Sequence, residues 1–351
     1  MKIRIATPED KPAWDTYVDN HPNAAPYSLF AWKNAVEEAY GHESCYLLAE
    51  DAGTIKGVLP LFHFRIPLRE CNLVSLPFCD VGDILADNTE SRMALTKEAV
   101  SLAQKMKVKY LEIRSGSKNL FFRDDGHGWD VRVNTGKVRM LLDLPDTSEE
   151  LWKGFKSKLR SQIRKAEKNG LTFSWGHTGT LDAFYDVFSR NMHALGSPVH
   201  SKKWFAKILE HYGTNARMGL VHCEDQPVGC GIILFTRHTV SIPWASTLRE
   251  YNRMAPNMML YWNFLNYAAN HGRKFFDFGR STPNLGTYRF KKQWGAIAEP
   301  LYWYQVTHKK CLTCEEISSQ VKRQKIATLW AKIPLGMANV IGPRLRKYIS
   351  L

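Results

Sequence analysis

Phe276-Asp277-Phe278-Gly279-Arg280-Ser281 crosses a Pro/Asn/Gly turn into Gly286-Thr287-Tyr288-Arg289-Phe290-Lys291-Lys292-Gln293-Trp294-Gly295. The first stretch reads as an apolar strand, and the second is expected to return as another, closing a hairpin. Alternate strand residues share a face. Tyr288, Phe290 and Lys292 would then line one side, with Arg289, Lys291 and Gln293 on the other. Cations beside aromatics at a strand mouth suit an anionic, phosphorylated ligand. An edge strand whose lysines discourage aggregation has the same pattern, so spacing alone leaves both readings open.

Working outward, the strand has a twin. Tyr110-Leu111-Glu112-Ile113-Arg114-Ser115 matches Phe275 to Ser281, and Ser75-Leu76-Pro77-Phe78 matches Ser241-Ile242-Pro243-Trp244. Further upstream, the glycine-closed amphipathic stretch Ser28 to Gly41 resembles Ser201 to Gly213. Ala49-Glu50-Asp51 leading to Gly57-Val58-Leu59 is paralleled by Cys223-Glu224-Asp225 leading to Gly229-Cys230-Gly231. Four matches in the same order and at nearly constant offset imply a duplicated α/β unit. Each unit reads as helices, an antiparallel meander, a helix and a parallel-joining strand. The seam is expected near Asp143-Leu144-Pro145-Asp146-Thr147, with one domain at 1–145, a second at 146–308 and a basic amphipathic tail at 309–351.

The chain has 351 residues, 44% hydrophobic and 23% charged, enough for two domains with their own cores. A net charge of +14 implies an anionic partner: nucleic acid, acidic lipid or a phosphorylated substrate. Seven scattered cysteines suit reduced thiols. Cys311 and Cys314, near His308, form a lone CxxC, too little for a zinc site, and no metal is expected. The N-terminal residues lack the apolar core of a secretion signal and no window reaches bilayer-spanning length, so a cytoplasmic protein is expected.

The signature FDFGRS and GTYRFKKQWG resembles that of FemAB-like proteins of the GNAT superfamily, in particular the group associated with PEP-CTERM/exosortase and exopolysaccharide clusters. Leu159 to Gly170, Leu195-Gly196-Ser197-Pro198-Val199 and Pro256 to Trp262 match as well. The loop Pro77 to Asp83 departs from the Tyr-Gly-Gly-like turn common there. The resemblance implies an α/β (α+β) fold of two tandem GNAT-like acyltransferase domains with mixed, mostly antiparallel sheets. It also implies acyl or aminoacyl transfer to an amine, with a hydroxyl as the second choice, on a phosphate-bearing cell-envelope or exopolysaccharide precursor, nucleotide- or lipid-linked. One alternative is an aminoacyl-tRNA-dependent enzyme building peptidoglycan bridges; another, from a different class, is a non-catalytic nucleic-acid-binding protein.

In the GNAT superfamily the pyrophosphate of acyl-CoA lies at the helix N-terminus after the fourth strand, where unpaired amides and the helix dipole hold phosphate. The corresponding loop, residues 248–257, makes Arg249, Arg253 and Asn257 candidate donor contacts. The usual phosphate-loop pattern is absent, so acyl-CoA and aminoacyl-tRNA both stay open as co-substrates, and no permanently bound cofactor is expected. Arg280, Arg289, Lys291 and Lys292 are candidates to hold acceptor phosphate, with Tyr288 and Trp294 shaping the acceptor wall. Tyr288 or Asp277 would relay the proton that group transfer releases. Asp277 recurs as Glu112, which argues for a structural part.

Leu151, Phe155, Leu159 and Ile163 repeat at helical spacing, and Lys153, Lys156, Arg160, Arg164 and Lys168 fall on another face. Such a stripe is either a solvated face or a surface for a phosphate backbone or lipid pyrophosphate. The family match at Arg160, Arg164 and Lys165 favours binding. His193 precedes the family-like turn and is expected in the cleft, whereas His200 and His211 read as surface residues. The tail is expected to pack on the protein, with peripheral contact to an anionic membrane at the inner face of the plasma membrane as the alternative.

Overall fold

A seven-stranded sheet follows the order Leu171–Gly176, Ala216–Cys223, Gln226–Phe235, Thr239–Thr247, Phe275–Ser281, Val138–Asp143 and Ile297–Pro300. The coordinates are a computed structural model that describes residues 1–67, 71–118, 129–176, 178–308 and 326–351. Cys311, Cys314 and the His308 side chain lie outside the described residues. In the seven-stranded sheet only Thr239–Thr247 and Phe275–Ser281 run parallel; every other pair is antiparallel. The first unit holds a four-stranded sheet and a six-stranded one, the latter ordered Glu43–Ser44, Phe62–Phe64, Asn72–Val74, Tyr110–Ser115, Tyr302–His308 and Trp129–Asn134. Its one parallel pair is again the repeat-related one, Asn72–Val74 with Tyr110–Ser115.

The two units exchange strands. Val138–Asp143, from the first half, lies antiparallel to Phe275–Ser281 in the second sheet. Tyr302–His308, from the end of the second half, lies antiparallel to Tyr110–Ser115 in the first. The equivalence reaches single residues: Leu141 faces Asp277, and Gln305 faces Glu112. A seam at Asp143 to Thr147 therefore follows a strand that belongs to the second sheet, and residues 302–308 complete the first. The repeat read from sequence describes chain order; sheet membership crosses it twice.

The repeated helices Phe30–Tyr40 and Lys202–Tyr212 pack on each other across the seam. Trp32 and Trp204, both fully buried, meet edge-on at 5.2 Å between ring centroids, and Trp32 stacks on Trp244 at 6.1 Å. Aromatic pairs of this kind contribute about 0.5–1.5 kcal/mol each beyond area burial. One apolar cluster thus runs through both halves. His200 packs against it and is not a surface residue: Trp204 stacks on its ring, and Tyr40 from the other half covers it with Oη 2.6 Å from Nδ1. Burial, with Arg346 adding to it, holds its pKa well below the usual histidine value.

Two sequence expectations need correction. Gly286–Gln293 is a helix, not a returning strand. The pairs Tyr288/Lys292 and Phe290/Trp294 meet at i, i+4, the ammonium lying 5.9 Å from one ring centroid and the two aromatic rings 6.2 Å apart. The basic stretch is not one helix either. Ser148–Gly154 ends at Phe155 and Ser157–Lys168 restarts beyond it, with Phe155 and Lys156 both extended. Arg160 bridges the break, donating to the Phe155 carbonyl at 2.9 Å and the Lys153 carbonyl at 3.2 Å. Those carbonyls would otherwise be unpaired at a helix end.

The tail packs on the protein as a strap. His193 Nε2 lies 2.7 Å from the Ile333 carbonyl, and His42 Nε2 lies 2.7 Å from that of Lys347. Beyond it, the Phe78 amide donates to the Ser350 carbonyl at 2.6 Å. The helix Leu335–Arg346 lies between these anchors.

Candidate functional site

The Asp-Phe-Gly-Arg sequence makes a kink. The Gly279 amide donates to Asp277 Oδ1 at 2.8 Å, and Gly279 sits at φ +73°, a conformation glycine adopts without strain. The ladder shifts register opposite it, between Arg139 and Leu141, as a bulge does. A Cβ at Gly279 would stand 3.3 Å from the Asp80 carboxylate. The kink presents the Arg280 amide to Asp80 Oδ2 at 2.9 Å, with the guanidinium Nε 3.3 Å from Oδ1.

Two cavities flank this strand. Phe275–Ser281 pairs with Thr239–Thr247 only from Phe275 to Asp277; beyond that the strands part. The gap, about 320 Å³, is lined by Ala245, Ser246, Thr247, Asn257, Tyr261, Phe290 and Lys291. The second cavity, about 670 Å³, lies between the units and brings together Arg114, Arg132, Lys137 and Arg280 with one acidic side chain, Glu112, and with Ser350 and Leu351 of the tail, Arg114 donating to Ser350 Oγ at 2.9 Å. Trp303, from the exchanged strand, forms part of its wall. Arg280 and its repeat counterpart Arg114 both reach that indole, at 5.2 and 4.7 Å from the ring centroid.

Lys291 lines the first cavity and bonds the backbone of Arg280, whose side chain lines the second. Its side chain is buried, and Nζ donates to the carbonyls of Gly279 at 3.1 Å and Arg280 at 2.8 Å. Burial pulls its pKa down to about 8, against the opposing pull of Asp80 and Asp277. A lysine whose pKa burial lowers beside a cavity is a functional-site candidate.

The other candidates divide. Asn257 lines the gap between the parted strands, whereas Arg249 and Arg253 are exposed on a short helical turn away from its lining. Asp277 is buried with both oxygens engaged, Oδ1 by Gly279 and Oδ2 by Arg139 Nε at 2.8 Å. Trp294 is core, packed against Phe155 and Tyr261, and does not form a wall. Tyr288 is half-buried under Lys292, and Arg289 and Lys292 are exposed. Arg160 caps a helix, Arg164 lies 5.3 Å from the Trp152 ring, Lys165 is exposed, and His193 holds the tail. The sequence reading missed Asp80, Arg114 and Trp303. Arg114 carried a signal, its repeat match to Arg280; Trp303 had none, because its strand was assigned to the other unit.

An acetyltransferase (GNAT) domain model matches residues 153–292. The chain is 20% identical to a lipid II:glycine glycyltransferase of Staphylococcus epidermidis, over 80% of this chain and 87% of that protein. In fold it is similar to the crystal structure of FemX, with a TM-score of 0.69 at 17% identity over 86% of this chain and 97% of that one. A tandem GNAT protein from the clavulanic acid biosynthesis pathway superimposes with a TM-score of 0.53 at 11% identity, covering 90% and 99% of the two chains. Two repeat-related units with one parallel pair each, and a match to an acetyltransferase (GNAT) domain over residues 153–292, give this chain a tandem GNAT-like fold similar to that of FemX.

Proposed function

We propose that the chain transfers an acyl or aminoacyl group to an amine on a phosphate-bearing cell-envelope precursor of the lipid II type. The observation that carries this reading is Lys291, which lines the gap between the splayed strands while bonding the carbonyl of Arg280 at the basic cavity. The donor carbonyl occupies the gap, and the acceptor's phosphate sits among Arg114, Arg132, Lys137 and Arg280. The acceptor amine attacks the donor carbonyl; an amide C–N bond forms and the donor ester or thioester bond breaks. The amine's proton leaves with the departing oxygen or sulfur. Lys291, as an ammonium, stabilises the oxyanion that develops at the junction. Asp277 positions the kink through Gly279 and takes no proton. Similarity to a lipid II:glycine glycyltransferase supports an acceptor of this class, and the donor is either acyl-CoA or aminoacyl-tRNA.

The test is incubation of the purified chain with nucleotide- or lipid-linked muropeptides and glycans, supplied with acyl-CoA or charged tRNA, and mass spectrometry of the acceptor. A mass gain abolished by RNase identifies the tRNA donor, and a gain with acyl-CoA alone identifies the thioester. No gain on any phosphate-bearing acceptor with either donor overturns the reading.

A further inference from the structure

The helix Leu335–Arg346 is packed inside out. Toward the protein it turns its small residues, Ala338 and Gly342, both buried; a Cβ on Gly342 would stand 3.2 Å from the Val199 amide nitrogen. Outward it turns Met337, Val340, Ile341 and Leu345, which are 54, 58, 36 and 45% exposed. Their spacing of three, four and eight places them on one stripe. A helix stabilised only by the protein beneath it would show the reverse arrangement. Ile326 and Leu329 extend the exposed apolar surface. Among the described residues, seven of the fifteen exposed large hydrophobics fall between 326 and 349, so the concentration is local and not the ordinary scatter of apolar surface.

The charge of this segment selects its occupant. Residues 326–351 contain Lys332, Arg344, Arg346 and Lys347 and no aspartate or glutamate. Arg346 turns inward over the Phe78 ring, while Lys332 is exposed ahead of the helix and Arg344 is exposed within the stripe itself, seven residues from Met337. A second copy docking through this face would be related by two-fold symmetry and would set these cations near their own images. An anionic bilayer surface instead offers acyl chains to the stripe and phosphate to the cations. The strap contacts of His193 with Ile333 and His42 with Lys347 hold the helix backbone at both ends, so the face is presented without folding on contact.

We propose that Leu335–Arg346 docks the chain on anionic membrane, lying in the headgroup plane. No helix among the described residues is long and apolar enough to cross a bilayer, and the docking is peripheral. The proposal concerns binding alone and stands or falls separately from the transfer reaction.

The experiment is co-sedimentation of the full chain with phosphatidylglycerol-containing vesicles and with pure phosphatidylcholine vesicles, without donor or acceptor. Binding to the anionic vesicles at least about tenfold tighter, and weakening with salt, is expected. Val340→Glu with Leu345→Glu should abolish binding, and Arg344→Glu should weaken it, with thermal unfolding of each variant unchanged because these side chains touch little protein. Equal affinity for both vesicle types, or binding that survives the double substitution, overturns the proposal. So does concentration-dependent dimerisation that the double substitution dissolves in the absence of vesicle binding, which would assign the face to a second copy.

Discussion

Arg139 Nε and Asp277 Oδ2 lie 2.8 Å apart although 138 residues separate them, and both side chains are largely buried. The pair joins the strand lent by the first half to the signature strand of the second. Removing one partner strands the other charge in the interior, which costs about 3–5 kcal/mol in such settings. Arg139→Met or Asp277→Asn is expected to lower stability by that order in denaturant titration. Arg139→Met combined with Asp277→Leu should cost clearly less than the two single losses added, the mark of a coupled pair.

Gly279 is the second point of leverage. Its positive φ and the Asp80 carboxylate 3.3 Å from a would-be Cβ make Gly279→Ala strained twice over. A loss of about 1–3 kcal/mol is expected, with a rise in acceptor KM larger than the fall in kcat, because the kink aims Arg280. A purely structural role would leave the two kinetic constants unchanged in the folded variant.

Lys291 should show itself in pH dependence. Burial lowers its pKa from 10.5 to about 8, so below pH 8 the interior carries a charge it disfavours. Its effect on stability therefore runs upward: the folded state gains as pH rises from about 8 toward 10.5. Lys291→Met should lack that gain. Transfer that needs the ammonium should decline above about pH 8, and Lys291→Met should lower kcat/KM by about a hundredfold or more and erase that limb.

His200 predicts a change at the acid side. Its folded pKa lies well below 6.5, so the neutral form is the one folded in. Stability from this group is complete above about pH 6.5 and is lost as pH falls below it. Calorimetry of the protein between pH 7 and 5 should show a falling unfolding temperature, and His200→Phe should flatten the fall.

Much of this architecture was legible in the chain. The duplication could be read because helices and strands recur with their own periods, and Trp32 and Trp204 pack together at the places those repeats occupy. Glu112 against Asp277 signalled a structural carboxylate, and both indeed form ion pairs, Glu112 with Arg114 and Asp277 with Arg139. The hairpin reading of Gly286 to Gly295 failed because Tyr288 and Lys292 share a side in a strand and in a helix alike. The break at Phe155 was hidden for a related reason. Leu151, Phe155, Leu159 and Ile163 keep steps of four straight through it, so apolar spacing registers no interruption. The site was the least legible part. Trp303 and Arg139 enter it on strands whose pairing partners lie far away in sequence, and no local pattern encodes such a pairing.

That reciprocal lending of strands bears on how the polypeptide is made. As the chain emerges from the ribosome, Tyr110–Ser115 waits with an open hydrogen-bonding edge until Tyr302–His308 has been synthesised. Among the described residues, Trp129–Asn134 likewise pairs only with that late segment. The N-terminal half thus cannot mature while translation continues, and nascent chains stalled before residue 302 should be the ones that chaperones hold and proteases cut.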